Sequence, residues 1–393
     1  MKTINLFRDT YRITLCAILI FGVYPTLLYG GGKVAVWGDN TFSQSLLPNG
    51  LNNVKAISAG SRHSLALKSD GTLVAWGQTN NGGAHVVPDG LTNVKAIAAG
   101  GNWNLALKTD GTVAGWGAYN TDLHVASLSN VTSIAAGWYH WLALKSDGSL
   151  STWSAGGSSY TPNYIPAGIS NVIAVAAGSE FSLVLKSDGT VTAWGWNENG
   201  QTNVPAGLSN VIAIATSAAS SHSLALKSDG TVVAWGANWE WQATVPPNLT
   251  NVISVAAGHS HSLALKADGS VVAWGNASGV FSNRGQSVVP PGLTNVKAIA
   301  AGELHSLALV FDGPPEILSQ PSNTLVSYQS NVVMAVTANG ENPLGYQWYF
   351  NNNPLTNSVR VSGAMTPTLS ISNAQFTNTG IYRVVVSNAF GMV

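Results

Sequence analysis

Residues 251–275 run NVISVAAGHSHSLALKADGSVVAWG. The apolar residues recur with a period of two, which is the signature of short strands and not of helices. Two β-branched or apolar runs flank Ala-Asp-Gly, and Asp-Gly between such runs is a strong hairpin signal because Gly accepts the positive φ a tight turn needs. The Asn-Val-Ile-Ser-Val run ahead of them reads as a further strand, ended by Ala-Ala-Gly. A Val-Pro segment before each unit, such as 202–205, is expected to add a fourth, edge-like strand, since Pro lacks a donor.

The same unit recurs along the chain. Copies begin at Asn93 (NVKAIAAGGNWNLALKTDGTVAGWG) and Asn171 (NVIAVAAGSEFSLVLKSDGTVTAWG), and Trp37, Trp76, Trp116, Trp153, Trp194, Trp235 and Trp274 follow one another at intervals of 39, 40, 37, 41, 41 and 39. A unit of about 40 residues with so few strands cannot bury its own faces and must stack on its copies, as a solenoid or a closed propeller. The chain ends favour the propeller. The last Ser-Leu-Ala-Leu strand, Ser306 to Leu309, runs into Phe311-Asp312-Gly313-Pro314-Pro315 without its partner, while Lys33-Val34-Ala35-Val36-Trp37-Gly38 is an orphan copy of that partner. Pairing these two closes the ring and removes the open edges.

Composition excludes several classes. The 393 residues carry 17 Lys+Arg against 17 Asp+Glu; 9% are charged, 45% hydrophobic, 42 are Gly and 14 Trp. Disorder needs the reverse balance, and no basic excess exists to neutralise nucleic-acid phosphates. Lys2, Arg8 and Arg12 precede a 12-residue apolar run, Ile13 to Tyr24, followed by Pro25 and the small residues Gly30 to Gly32. This pattern predicts a signal peptide over residues 1–30 and export to the cell surface or medium, with no membrane span in the mature chain. Cys16, the single cysteine, lies inside it.

The Ala-Trp-Gly, Ala-Ala-Gly-x-x-His-Ser-Leu-Ala-Leu and Asp-Gly motifs resemble regulator-of-chromosome-condensation repeats. That resemblance implies an all-β chain with a seven-bladed β-propeller over residues 31–313, closed by its N-terminal strand; the compact copies are most similar to a secreted bacterial branch. After Pro314-Pro315 the repeat vanishes. Residues 314–393 resemble a partial immunoglobulin-like β-sandwich, with Trp348 matching the strand C tryptophan and Tyr382 the tyrosine corner. Val336 and Val384 occupy the family's two disulfide positions, so apolar packing is expected there. The sequence stops at Val393, where a last strand is due, and a truncated domain is the expectation.

No Walker, dinucleotide or calcium-loop motif is present, and neither metal nor cofactor is expected. His63, His140, His222, His261 and His305 share one repeat position with Trp103 and Phe181, so a packed planar ring is the reading there. Gly258-His259-Ser260-His261 opens like a nucleophile elbow but lacks the closing Gly at Ser262. The turn residues Asp70, Asp110, Asp147, Asp188, Asp229, Asp268 and Asp312 are expected on one face of the ring, with neighbouring lysines. Loops on the opposite face carry residues that do not repeat. Arg62, Tyr119, Trp138, Tyr139, Glu180, Trp196, Trp239, Trp241 and Phe281 are the candidate ligand-binding residues, because Trp, Tyr and Arg dominate binding hot spots. The functional expectation is a monomeric, non-enzymatic binding or adhesion scaffold for an extracellular protein or glycan. Two alternatives follow from the resemblance: an inhibitor of an extracellular enzyme, as in a β-lactamase-inhibiting propeller, and a guanine-nucleotide exchange regulator.

Overall fold

A computed structural model of the chain describes residues 32–78, 83–117, 125–154, 164–276, 283–311, 313–321, 326–340, 343–388 and 390–393. The proposed signal segment with Cys16, the candidates Tyr119 and Phe281, and the turn residue Asp312 lie outside the described residues.

The repeats fold as strands. β1 (Lys33–Gly38) stands first, followed by three-strand units β2 (Val54–Ala59), β3 (His63–Lys68), β4 (Leu73–Gly77) and β5 (Val94–Ala99), β6 (Trp103–Lys108), β7 (Val113–Gly117). Next come β8 (Val131–Ala136), β9 (His140–Lys145), β10 (Leu150–Ser154) and β11 (Val172–Ala177), β12 (Phe181–Lys186), β13 (Val191–Gly195). The series continues with β14 (Val211–Ala215), β15 (His222–Lys227), β16 (Val232–Gly236) and β17 (Val252–Ala257), β18 (His261–Lys266), β19 (Val271–Gly275). β20 (Val296–Ala301) and β21 (His305–Val310) complete the set. Each unit is a three-stranded antiparallel sheet, and the described residues form seven of them. The seventh has the order β1-β21-β20, with Lys33 opposite Val310 and Gly38 opposite His305.

Local chemistry explains the unit. An Asn precedes the first strand of each sheet at positive φ, from Asn53 at 55° to Asn295 at 57°, a conformation Asn tolerates because its short side chain bonds locally. In the hairpins, Asp70 Oδ1 accepts the Thr72 N–H at 2.9 Å, and Gly71 takes φ +85°. The Val-Pro segments form no strand: Leu208 N–H bonds Pro205 C=O in a turn at 3.1 Å, and Val204 packs against the core instead. Proline cannot supply a ladder donor, so the unit stays three-stranded.

The core lies between sheets. Leu224 and Leu226 of β15 pack against Val252, Val255 and Trp274 of the following sheet. Leu263 and Leu265 meet Val296, Ile299 and Trp37 in the same way. Leu307 and Leu309 meet Val54, Ile57 and Trp76, so the last sheet packs on the first. The innermost strands of all seven sheets line one channel of mainly alanine side chains, whose cavity of about 40 Å³ has room for a few waters only. Ligand pockets are about ten times larger, so the axis is a packed seam.

The C-terminal part has β22 (Glu316–Ser319), β23 (Val332–Ala335), β24 (Thr337–Asn339), β25 (Gly345–Phe350) and β26 (Asn353–Pro354). β27 (Val361–Ser362), β28 (Thr368–Ile371), β29 (Tyr382–Asn388) and β30 (Gly391–Met392) follow. Its sheets β23-β28-β27 and β26-β25-β29-β30 enclose Trp348, Leu369, Ile371 and Val386. Val336 and Val384 sit buried in that one core cluster. Tyr382 donates its hydroxyl to Asn378 C=O at 2.9 Å, the bond that defines a tyrosine corner. Where the two parts meet, Asn295 Nδ2 donates to Gly340 C=O at 2.7 Å and Lys297 pairs with Glu316 at 2.7 Å.

Candidate binding face

The first residue of the middle strand of each unit is a ring side chain that seals the joint to the next sheet. His222 Nε2 lies 2.8 Å from Ser262 Oγ, His261 2.9 Å from Ser306 Oγ, and His140 2.9 Å from Ser182 Oγ. His63 meets Asn104 Oδ1 at 2.7 Å. Ser262 and Ser306 donate their hydroxyls to the backbone carbonyls of Gln242 and Gln286, at 2.8 and 2.9 Å. With that proton committed, the imidazole donates through Nε2–H. Burial then pushes the basicity down from the ordinary 6.5, to about 4 for His63 and about 3 for His140, His222, His261 and His305. Trp103 breaks the pattern together with its partner: where the neighbouring Ser position becomes Trp141, the two indoles pack at 4.7 Å. These positions are structural, and the Ala-Ala-Gly glycine explains why. A Cβ on Gly258 would stand 2.7 Å from Gly302 C=O and collide with the His261 ring.

The loops just before these middle strands are laced together by backbone bonds on one face. Ser61 N–H bonds Gly100 C=O at 3.1 Å, Gly101 bonds Gly137 at 3.2 Å, Trp138 bonds Gly178 at 3.2 Å and Ser179 bonds Ser220 at 3.1 Å. Glu303 N–H reaches Ser61 C=O at 3.3 Å and joins the last sheet to the first. Side chains leaving these loops are therefore held on a stiff rim.

Loops after the third strand complete that face, and three share one architecture. In 38–44, 195–201 and 236–242 an Asn (Asn40, Asn197, Asn238) accepts a backbone N–H five residues on, at 2.9 to 3.1 Å. A buried Gln closes each loop: the side chains of Gln44, Gln201 and Gln242 accept the N–H two residues back. The carbonyls of these glutamines also accept the indole N–H of Trp76, Trp235 and Trp274, each at 2.9 Å. The candidate residues in the sequence did not include these glutamines. Their signal is present nonetheless: Trp37, Trp194 and Trp235 each precede a Gln by seven residues.

The candidate residues separate into groups. Trp239 and Trp241 stand 61% and 63% exposed on the 236–242 loop. Trp241 also holds φ +65°, at the place where the sister loops carry Gly200 (+75°) and Ser43 (+63°). A bulky residue at positive φ is a true outlier costing about 1–3 kcal/mol. Trp196 and Glu180 lie half-buried on the adjoining sheet, with Trp196 N–H bonded to Glu180 C=O at 2.9 Å. Trp138 and Tyr139 are half-buried with ring centroids 6.3 Å apart, and Trp138 leans on Gly101 of the neighbouring sheet. Arg62 belongs to the ring closure. Its guanidinium pairs with Glu303 at 3.3 Å and covers the Phe42 ring at 4.8 Å, while Ser61 Oγ donates to the same carboxylate. Among the described residues no group of three or more His, Cys, Asp or Glu is disposed to hold a metal ion. No helix among them is long and apolar enough to cross a membrane.

Comparison with known proteins agrees with this architecture. Residues 54–83, 172–201, 211–238 and 252–280 match the regulator of chromosome condensation (RCC1) repeat, and residues 314–388 match an immunoglobulin domain. The chain thus carries RCC1 repeats forming a propeller, followed by an immunoglobulin domain. Among solved structures, Prp20p from Saccharomyces cerevisiae, studied for its binding to Gsp1p and histones, is 19% identical with a TM-score of 0.58, covering 74% of this chain and 92% of its own. Yeast RCC1 (Prp20) bound to Kap60 gives 18% and 0.58, covering 79% and 97%. Human WBSCR16 gives 18% and 0.51, covering 70% and 99%. At such identities the likeness is one of fold. No curated protein sequence matches the chain.

Proposed function

We propose that the protein is a non-enzymatic binding scaffold, secreted or displayed at the cell surface, whose loop face captures a protein or glycan partner around Trp239 and Trp241. One observation carries the reading: Trp241 is exposed and held in a strained backbone conformation where its repeat equivalents are Gly and Ser. The scaffold gains nothing from that side chain, since the 38–44 and 195–201 loops keep the same hydrogen bonds without it. Strain kept for an exposed aromatic is the pattern of a contact residue. Trp196 and Glu180 extend the surface onto the adjoining sheet, and the immunoglobulin domain acts as a spacer or second adhesive unit. The test exposes immobilised protein to a cell-surface extract, beside the variant Trp239→Ala/Trp241→Gly. The reading expects the bound fraction to disappear in the variant; equal capture by both contradicts it.

A further inference from the structure

Segments 195–204 and 236–245 adjoin: a Cβ on Gly236 would stand 3.0 Å from Gln201 Cα. Neither contains a Lys or Arg. Their carboxylates, Glu198 and Glu240, each interact with a neighbour inside the structure, and Glu240 is buried. The sector therefore offers a partner no free charge of either sign. What it offers is ring surface beside exposed polar side chains. Trp239 and Trp241, 61% and 63% exposed, leave roughly 300 Å² of indole uncovered. Trp241 is pinned on both sides, its N–H donating to Asn238 C=O at 3.2 Å and its C=O accepting from Thr244 N–H at 3.1 Å. Around the indoles, Asn197 Nδ2 donates to Asn203 Oδ1 at 2.8 Å and Asn238 Nδ2 to Thr244 Oγ1 at 3.0 Å, and all four side chains are exposed. Elsewhere on the rim the position of Asn203 and Thr244, two residues before a Pro, holds the exposed apolar side chains Leu46, Val86, Tyr164 and Val288. These polar pairs therefore belong to the tryptophan sector.

We propose that this sector binds a neutral glycan built of β-linked, glucose-type sugar rings. The inference rests on the binding-face reading above and names its partner class. The hydroxyls of such rings lie equatorial, so each ring face presents only C–H groups, a flat apolar surface that an indole covers. Hydroxyls at the ring edge both donate and accept, which matches amide and Thr side chains and needs no ion. Size agrees: a protein interface takes about 800 Å² from each partner, whereas roughly 300 Å² of indole suits two or three sugar rings. An indole held in place before binding loses little freedom on contact.

The probes are cellohexaose and chitohexaose, oligomers of β-linked glucose and N-acetylglucosamine, titrated calorimetrically into the whole protein. At least one should bind, with an affinity that changes less than about twofold between low and high salt. Trp241→Gly should weaken it about tenfold through the lost ring contact, and Thr244→Leu about fivefold through the lost hydroxyl. Both variants copy sister loops, which carry Gly200 and Leu46 there, so an unchanged melting temperature separates lost contact from lost fold. Binding of neither sugar, or binding untouched by Trp241→Gly, overturns the proposal. The cell-surface extract supplies the second arm. Capture from an extract treated with periodate, which cleaves the vicinal diols of sugars, should vanish; capture from a protease-treated extract should persist as bound carbohydrate. The reverse result reveals a protein partner and overturns the glycan proposal alone, as long as the double variant of the previous section loses capture. If that variant captures as before, the binding-face reading falls with it.

Discussion

His305 Nε2 lies 3.0 Å from Ser64 Oγ, joining residues 241 positions apart in the chain. It is the same bond that ties His222 to Ser262 and His261 to Ser306 between neighbouring sheets. The last sheet therefore treats the first as its ordinary successor. Packing repeats the message, since Leu307 and Leu309 bury against Trp76 as Leu224 and Leu226 do against Trp274.

The buried histidines make stability depend on pH. In the unfolded chain each imidazole titrates near 6.5; in the folded chain burial lowers the values to about 4 for His63 and about 3 for the other four. As pH falls below about 6.5 the unfolded state takes up protons that the folded state refuses. Stability is thus complete above pH 6.5 and declines toward pH 4, by up to about 1.4 kcal/mol per unit for each histidine. The turn carboxylates, such as Asp70 with its lowered value, add their own loss only below the ordinary carboxylate range near 3.8. The urea midpoint should fall steeply between pH 6.5 and 4.5. A flat midpoint across that window contradicts the assigned burial.

Trp235 fills the joint between two sheets and donates its indole N–H to Gln201 C=O at 2.9 Å. Trp235→Ala should cost about 3–5 kcal/mol in urea unfolding, from lost burial and the cavity left behind. A cost below about 1 kcal/mol would place that side chain outside the core.

Gly302 is wedged under the His305 ring, and a Cβ there would stand 2.5 Å from Gly60 C=O. Gly302→Ala should destabilise by about 1–3 kcal/mol through overpacking. Adding His305→Ala removes the ring but not the carbonyl, so the double variant should recover part of the coupling and not all of it. Strict additivity of the two effects contradicts this geometry.

Trp241→Gly should leave unfolding free energy unchanged or raise it by about 1 kcal/mol. Relief of the φ +65° strain offsets the added freedom of glycine in the unfolded chain. A loss of more than about 2 kcal/mol would show that the indole supports the fold.

The strands were legible because their causes are local: period-two alternation, Asp-Gly turns and the recurring tryptophans. The ring at His63 and its equivalents was legible too, because Trp103 and Phe181 in the same slot excluded a role peculiar to histidine. Other features depend on geometry that a linear pattern does not carry. The Val-Pro segment reads as an edge strand, yet its residues turn inward at Pro205. Arg62 is legible as a loop residue, but its pairing with Glu303, far along the chain, appears only once the ring closes. The glutamine carbonyls serve through their backbone, which leaves a spacing and no side-chain logic. Trp241 differs from Trp196 in backbone conformation and exposure, neither of which its letter encodes.

Hydroxyl-radical footprinting of the tryptophans, read by mass spectrometry, addresses the loop face directly. In the free protein Trp239 and Trp241 should oxidise rapidly and Trp235 and Trp274 slowly, following their exposure. With captured cell-surface partner present, the first two should become protected while the second two stay as they were. Capture that leaves Trp239 and Trp241 as reactive as before would contradict the assignment of these side chains as the point of contact.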